Sequence, residues 1–137
     1  MLARPGSYAR GLHEQWTSFT LSELEAYLWS NAKHSAMYPA ELRVAEVIPR
    51  NNDEIRLAMT VLDKHLALSS YFLGDNFSVT DIVASWATNW ARRGGHWQNY
   101  TNVHTYIERL FARPLCTLNQ AWLGLQIVSV GSASPKC

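Results

Sequence analysis

The sequence predicts an all-α domain, a bundle of five to six helices. Three observations lead there. Apolar residues recur at spacings of three and four along most of the chain. Pro and Gly turn signals separate these stretches. No stretch alternates apolar and polar residues between turn signals. The nearest, LQIVSV at 125–130, reads as helix end or coil.

The first helix is expected over about Tyr8 to His34. Leu12, Trp16, Phe19, Glu23 and Ala26 fall on one face, and Leu21, Leu24, Leu28 and Ala32 on nearly the opposite one. Such a helix is buried on two sides, or buried on one and used as an interface on the other. Pro39 and Pro49 then bracket PAELRVAEV, which suits a short helix because Pro fits a first helical turn. A second long helix is expected from about Asn52 to Phe72. Ile55, Ala58, Leu62 and Leu66 form its main stripe, and Leu57, Val61 and Leu68 a side stripe. Gly74 and Asp75 end it.

The third helix has the best-marked start. Ser78 at the N-cap and Asp81 three residues on have the spacing of a capping box, with Asp in place of the usual Glu. Phe77 and Ile82 are spaced for a hydrophobic staple across it. The expected core stripe is Val79, Ile82, Trp86 and Trp90. Arg92 and Arg93 suit the negative C-terminal end, and Gly94-Gly95 stops the helix. A fourth helix is expected from about Asn102 to Ala112, with Val103, Tyr106, Ile107 and Leu110 inward. Pro114 is placed to open a fifth, with Leu118, Ala121, Trp122 and Leu125 inward. The helical part is thus about 8–126 of one domain over 1–137, and 127–137 reads as a frayed tail.

The 137 residues suit one domain whose core needs no metal or disulfide staple. Hydrophobic residues are 47% and charged residues 17%, which argues against disorder. A net charge of +1 gives no basic face for DNA or RNA, so no nucleic-acid partner is expected. No apolar run reaches 18 residues, so no membrane span is expected, and the start lacks the apolar stretch of a signal peptide. Cys116 and Cys137 form no CxxC, which suggests reduced thiols and a cytoplasmic location. Trp, Tyr and Phe make 12% of the chain, enough for a bulky core, an interface or an apolar pocket.

YFLGDNFSVTDIVASWATNW, followed by YTNVHTYIERLFARP, resembles the C-terminal helical domain of cytosolic glutathione transferases. The carrying pieces are Gly74-Asp75 with Phe77-Ser78 and Asp81, then Asn102, Tyr106, Arg109 and Ala112-Arg113-Pro114. The first helix, QWTSFTLSELEAYLW, resembles the family's first C-domain helix, especially in bacterial beta-like members. The resemblance covers about 8–126. Thr80 stands where the family has a small residue, and Thr101 where it has Pro; Thr101 can itself cap a helix.

The resemblance implies roles. The family's glutathione site lies on a thioredoxin-like half, and nothing in these 137 residues resembles that half. No catalytic residue is therefore expected in this chain, and no cofactor bound by it alone. Glutathione would be the cosubstrate once a thioredoxin-like domain completes the site. Trp90 aligns with a tryptophan that borders the apolar substrate pocket in beta-like members. Tyr8, Leu12 and His13 fall at the end of the first helix that faces the cleft in the family. Each has a blander reading: Trp90 as a core ring, the other three as a solvated helix start. Ser78 and Asp81 could be read as a catalytic pair, but staple and cap together favour capping. His34, His65, His96 and His104 show no metal spacing, so no metal is expected. Cys116 reads as a small buried residue or a thiol near a helix start.

The expected function is the substrate-binding and dimerising half of a glutathione transferase-like protein. Its expected partners are a second copy or a thioredoxin-like domain, and a small apolar electrophile. These helices alone are expected to be inactive. The alternative is a non-catalytic module of the same fold that binds partner proteins.

Overall fold

The computed structural model describes residues 3–114 and Cys116. Residues 8–37 form one continuous rod. It comprises α1 (Tyr8–Phe19), a π-helical segment (Thr20–Glu25), α2 (Ala26–Ala32) and a second π-helical segment (Lys33–Met37). The Ser7 hydroxyl caps it, accepting from the Arg10 N–H at 3.2 Å. The rod buries one side, made by His13, Trp16, Thr20, Leu24, Leu28 and Ala32. The two opposed faces expected from the sequence do not form, and Glu23 and Ala26 are exposed. At 3.6 residues per turn, Trp16 and Leu24 would stand about 80° apart around the axis. The π segment, whose bonds run i to i+5, absorbs about one residue and brings both to the same side.

The short helix expected over PAELRVAEV is reduced to a 3-10 turn, Ala40–Leu42. Side chains hold this connection in place. Arg43 donates to the Tyr38 and Ala36 carbonyls at 2.7 and 2.8 Å, and His34 Nδ1 accepts from the Val44 N–H at 3.1 Å. α3 (Val47–Leu66) starts about five residues before the expected boundary. Pro49 falls in its first turn, where a missing N–H costs no helical bond. α3 also ends earlier than expected, and 67–78 is a loop. That loop reverses at Gly74, whose φ of 112° lies in the region that favours glycine. Tyr71 and Gly74 exchange N–H···O bonds of 2.8 and 3.2 Å across the reversal.

α4 (Val79–Arg93) and α5 (Thr101–Phe111) complete the described bundle. α4 packs on the first rod and on α5, while α3 packs on α2 and α5. A central helix in close contact on two sides needs small side chains, because these set the interaxial distance. α4 accordingly buries Thr80, Ala84, Ala87, Thr88 and Ala91. The expected core stripe is corrected here. Ile82 is 57% exposed, Trp86 is exposed and Val79 half-buried; of those four only Trp90 is buried. Phe77 turns to the Tyr71 ring, at 5.9 Å, and lies under the Arg113 guanidinium.

The α5 stripe of Val103, Tyr106, Ile107 and Leu110 is buried as expected, as is the main α3 stripe. The side stripe of α3 is not: Leu57, Val61 and Leu68 are exposed. Thr101 does not cap α5. Asp63 of α3 does so, accepting from the Asn102 and Val103 N–H groups at 2.8 and 3.0 Å. Among the described residues there are four long helical bodies, one 3-10 turn and no strand. The all-α class stands, with fewer helices described than the five to six expected. The helix expected after Pro114, the stretch 125–130, the tail 127–137 and Cys137 lie outside the described residues.

Candidate functional site

The three residues expected at the mouth of a cleft have separate settings. Tyr8 lies on the first turn of α1 and is 83% exposed. Leu12 is half-buried. His13 is not on a solvated helix start: it is buried, with Nδ1 at 2.9 Å from Thr80 Oγ1 at the start of α4 and at 3.4 Å from Thr17 Oγ1. Its ring joins the first rod to α4.

Trp90 lies ten residues further along α4 than Thr80, about 15 Å at helical rise. Trp90 and His13 therefore do not line one compact pocket. The neighbour of Trp90 is Trp29 of α2. Their ring centroids are 4.9 Å apart and the rings are nearly perpendicular at 87°, the favourable edge-to-face arrangement. Trp90 is 8% exposed and Trp29 40% exposed, so the pair has one sheltered and one open ring. The Trp29 Nε1–H donates to Glu25 Oε1 at 3.2 Å, one turn back along the rod.

Two ladders meet at this pair. Leu21, Glu25 and Trp29 follow one another at i+4 along the rod, and Ile82, Trp86 and Trp90 do so along α4. Leu21, Trp29, Ile82 and Trp86 are all exposed large apolar residues. The Trp29–Trp90 contact thus places aromatic rings at the seam between the rod and α4. Leu24 and Leu28, on the face that the sequence left open as an interface, are instead buried within the domain. The missed signal was the i, i+4 spacing of Glu25 and Trp29, which suits a carboxylate accepting from an indole.

Ser78 and Asp81 belong to the scaffold. Both halves of the capping box are present, and the Asp81 carboxylate accepts from the Ser78 N–H at 2.8 Å. Asp81 also accepts from the Ser78 hydroxyl at 2.8 Å, the Phe72 N–H at 3.0 Å and the Tyr106 hydroxyl at 3.3 Å. It therefore fastens the loop, α4 and α5 at one fully buried point. Burial first, and then the Asp81 charge, hold the Tyr106 phenol well above its ordinary range. Burial, with the nearby Arg56 charge, lowers the His96 imidazole below its ordinary value. Among the described residues no three His, Cys, Asp or Glu side chains gather to hold a metal. Cys116 is half-buried and makes no disulfide among the described residues.

Residues 45–109 match the family model described as the glutathione S-transferase C-terminal domain. The glutathione transferase fold extends beyond the matched stretch in solved structures. A glutathione S-transferase domain-containing protein from Marinobacter aquaeolei superposes with a TM-score of 0.70 at 19% identity, covering 82% of this chain and 57% of that one. Gtt2 from Saccharomyces cerevisiae gives 0.71 at 19% identity, with the same coverage of 82% and 57%. A Burkholderia graminis glutathione transferase, solved with two glutathione molecules per subunit, gives 0.70 at 22% identity, covering 88% of this chain and 54% of that one. This chain spans little more than half the length of those transferases. No curated protein matches the sequence. No helix among the described residues is long and apolar enough to cross a membrane.

Proposed function

We propose that these helices form the electrophile-binding and dimerising half of a glutathione transferase-like protein, with the electrophile on the seam between the rod and α4. The observation that carries this reading is the Trp29–Trp90 pair, set among Leu21, Ile82 and Trp86. The exposed ring of Trp29, backed by the sheltered ring of Trp90, can hold an aryl group by apolar burial and ring contact. Glutathione enters as cosubstrate on a thioredoxin-like domain, whose groups favour its thiolate. The helices contribute position: they hold the electrophile where the thiolate can attack it. Of the residues expected at the cleft, Trp90 stays in this reading. His13, engaged with Thr80, joins helices instead.

The test is tryptophan fluorescence titrated with an aryl halide. Trp29→Phe and Trp90→Phe should each weaken binding several-fold, while Tyr8→Phe should leave it unaltered. Equal binding by all three variants and the parent chain would remove the seam from the site.

A further inference from the structure

The start of α3 lacks the usual side-chain cap. Glu46, at its N-cap position, makes no side-chain bond to the helix. The first two N–H groups go instead to carbonyls of the preceding connection. Val47 donates to Val44 at 3.4 Å and Ile48 to Ala45 at 3.1 Å, and Pro49 has no N–H to place. The order of this helix end therefore depends on where Val44 and Ala45 are held. The Val44 N–H is held by His34 Nδ1, at 3.1 Å, from the last segment of the rod. We propose that His34 is a pH-sensitive latch. Neutral, it fixes Val44 and the first turn of α3 against the rod; protonated, it releases them.

The chemistry follows from the donor. A backbone N–H can only donate, so Nδ1 must keep its lone pair and the ring proton must sit on Nε2. Protonation of Nδ1 sets one N–H against another and removes the acceptor. Imidazole is the side chain that ordinarily makes this change between about pH 5 and 8. The charged residues on the elements that meet here are Lys33 on the rod, Glu41, Arg43 and Glu46 on the connection, and Arg50 and Asp53 early in α3. None of them forms an ion pair with His34, so no carboxylate holds the charged ring in place. The Tyr38 ring meets the imidazole edge to face, at 5.2 Å and 86°, and offers it no acceptor bond. The release has a boundary on each side. Arg43 keeps its bonds to the Ala36 and Tyr38 carbonyls in either state, because its charge does not titrate. Asn51 donates to Ser30 Oγ and Asn31 Oδ1 at 2.8 and 2.9 Å, and Asn31 donates to Asn52 Oδ1 at 2.8 Å. These amide bonds contain no titrating group and tie α3 to the rod from Asn51 onward. The latch thus governs residues 44–50.

The experiment follows amide hydrogen exchange of the full chain, corrected for its intrinsic pH dependence. It is run above and below the pH at which the NMR signals of the His34 ring titrate. Thermal melting confirms that each variant is folded. In the parent chain, protection of 44–50 should fall about fivefold below that pH, the loss of one hydrogen bond, while 51–66 keeps its protection. His34→Asn supplies an acceptor that does not titrate, so its 44–50 should stay protected at both pH values. His34→Phe keeps a ring beside Tyr38 without an acceptor, so its 44–50 should exchange about fivefold faster at both. Equal protection of the parent chain above and below the titration would overturn the latch. So would a fall of the same size in His34→Asn, since another group would then be titrating. A fall that runs equally through 51–66 would also overturn it, because the loosening would then belong to the whole bundle.

Discussion

At the scale of the residue, Asp81 shows what a sequence motif conveys and what it leaves out. The Ser78–Asp81 spacing was sufficient to read a helix start. The donors that arrive from Phe72 and Tyr106 come from outside the motif and have no local signal. Loss of a cap alone costs about 0.5–2 kcal/mol. Asp81→Ala in addition leaves buried donors without an acceptor, at about 1–3 kcal/mol for each such group. The expected loss is therefore at least about 3 kcal/mol, a fall in melting temperature of roughly 10 °C or more. A drop of only a few degrees would show that Asp81 acts as a cap and nothing more. His96 carries a second expectation at this scale. Its folded pKa is lowered, so below about pH 6.5 the unfolded chain takes up a proton that the folded chain resists. Stability falls as pH drops through that value and levels off below the lowered folded pKa. Urea unfolding across this range should show a shallower acid loss in His96→Gln than in the parent chain. Parallel curves for the two proteins would contradict the assignment.

At the scale of the element, the first rod explains why part of the fold could not be read. The stripes of α3 and α5 were legible because these helices keep the regular period that the pattern assumes. In the rod, the buried residues Trp16, Thr20, Leu24, Leu28 and Ala32 recur at four, which a uniform helix would spread around its axis. The π segment restores them to one side, and a 3.6-residue period splits them into two false faces. α4 misled for another reason. Its bulky residues suggested a core stripe, but two-sided packing put small residues inside and left Ile82 and Trp86 out. The same displacement hid the candidate site, because the seam is built from residues that the pattern assigned to the core or to an interface. The π segment has a direct test. If it absorbs one extra residue, removing the exposed Ser22 lets it close into regular α-helix with both flanks in register. Deletion of Ser22 should cost no more than about 1 kcal/mol, within the range of an ordinary substitution. Deletion of the equally exposed Thr60 from regular α3 should rotate Leu62 and Leu66 out of the core and abolish cooperative melting. Similar losses in the two deletions would argue against the slack residue.

At the scale of the whole molecule, two of the exposed apolar surfaces among the described residues bear on the proposed roles. One is the aromatic seam. The other lies on α3, where Leu57 is 63% exposed and Val61 follows it one turn on. Exposed apolar patches mark contact sites, and a two-fold contact needs a surface that meets its own copy. A helix face suits that requirement, since two copies can cross with their ridges and grooves in register. Dimerisation through α3 would leave the proposed seam site uncovered. The division of labour between the surfaces makes a paired prediction. Leu57→Asp with Val61→Asn should convert the chain to monomer in sedimentation equilibrium at micromolar concentration. Melting of the isolated monomer should remain cooperative, because neither side chain belongs to the core. Trp29→Phe should sediment as the parent chain does. The reverse pattern, with association lost on changing Trp29 and retained in the α3 variant, would place the subunit contact on the seam and leave the electrophile without its site.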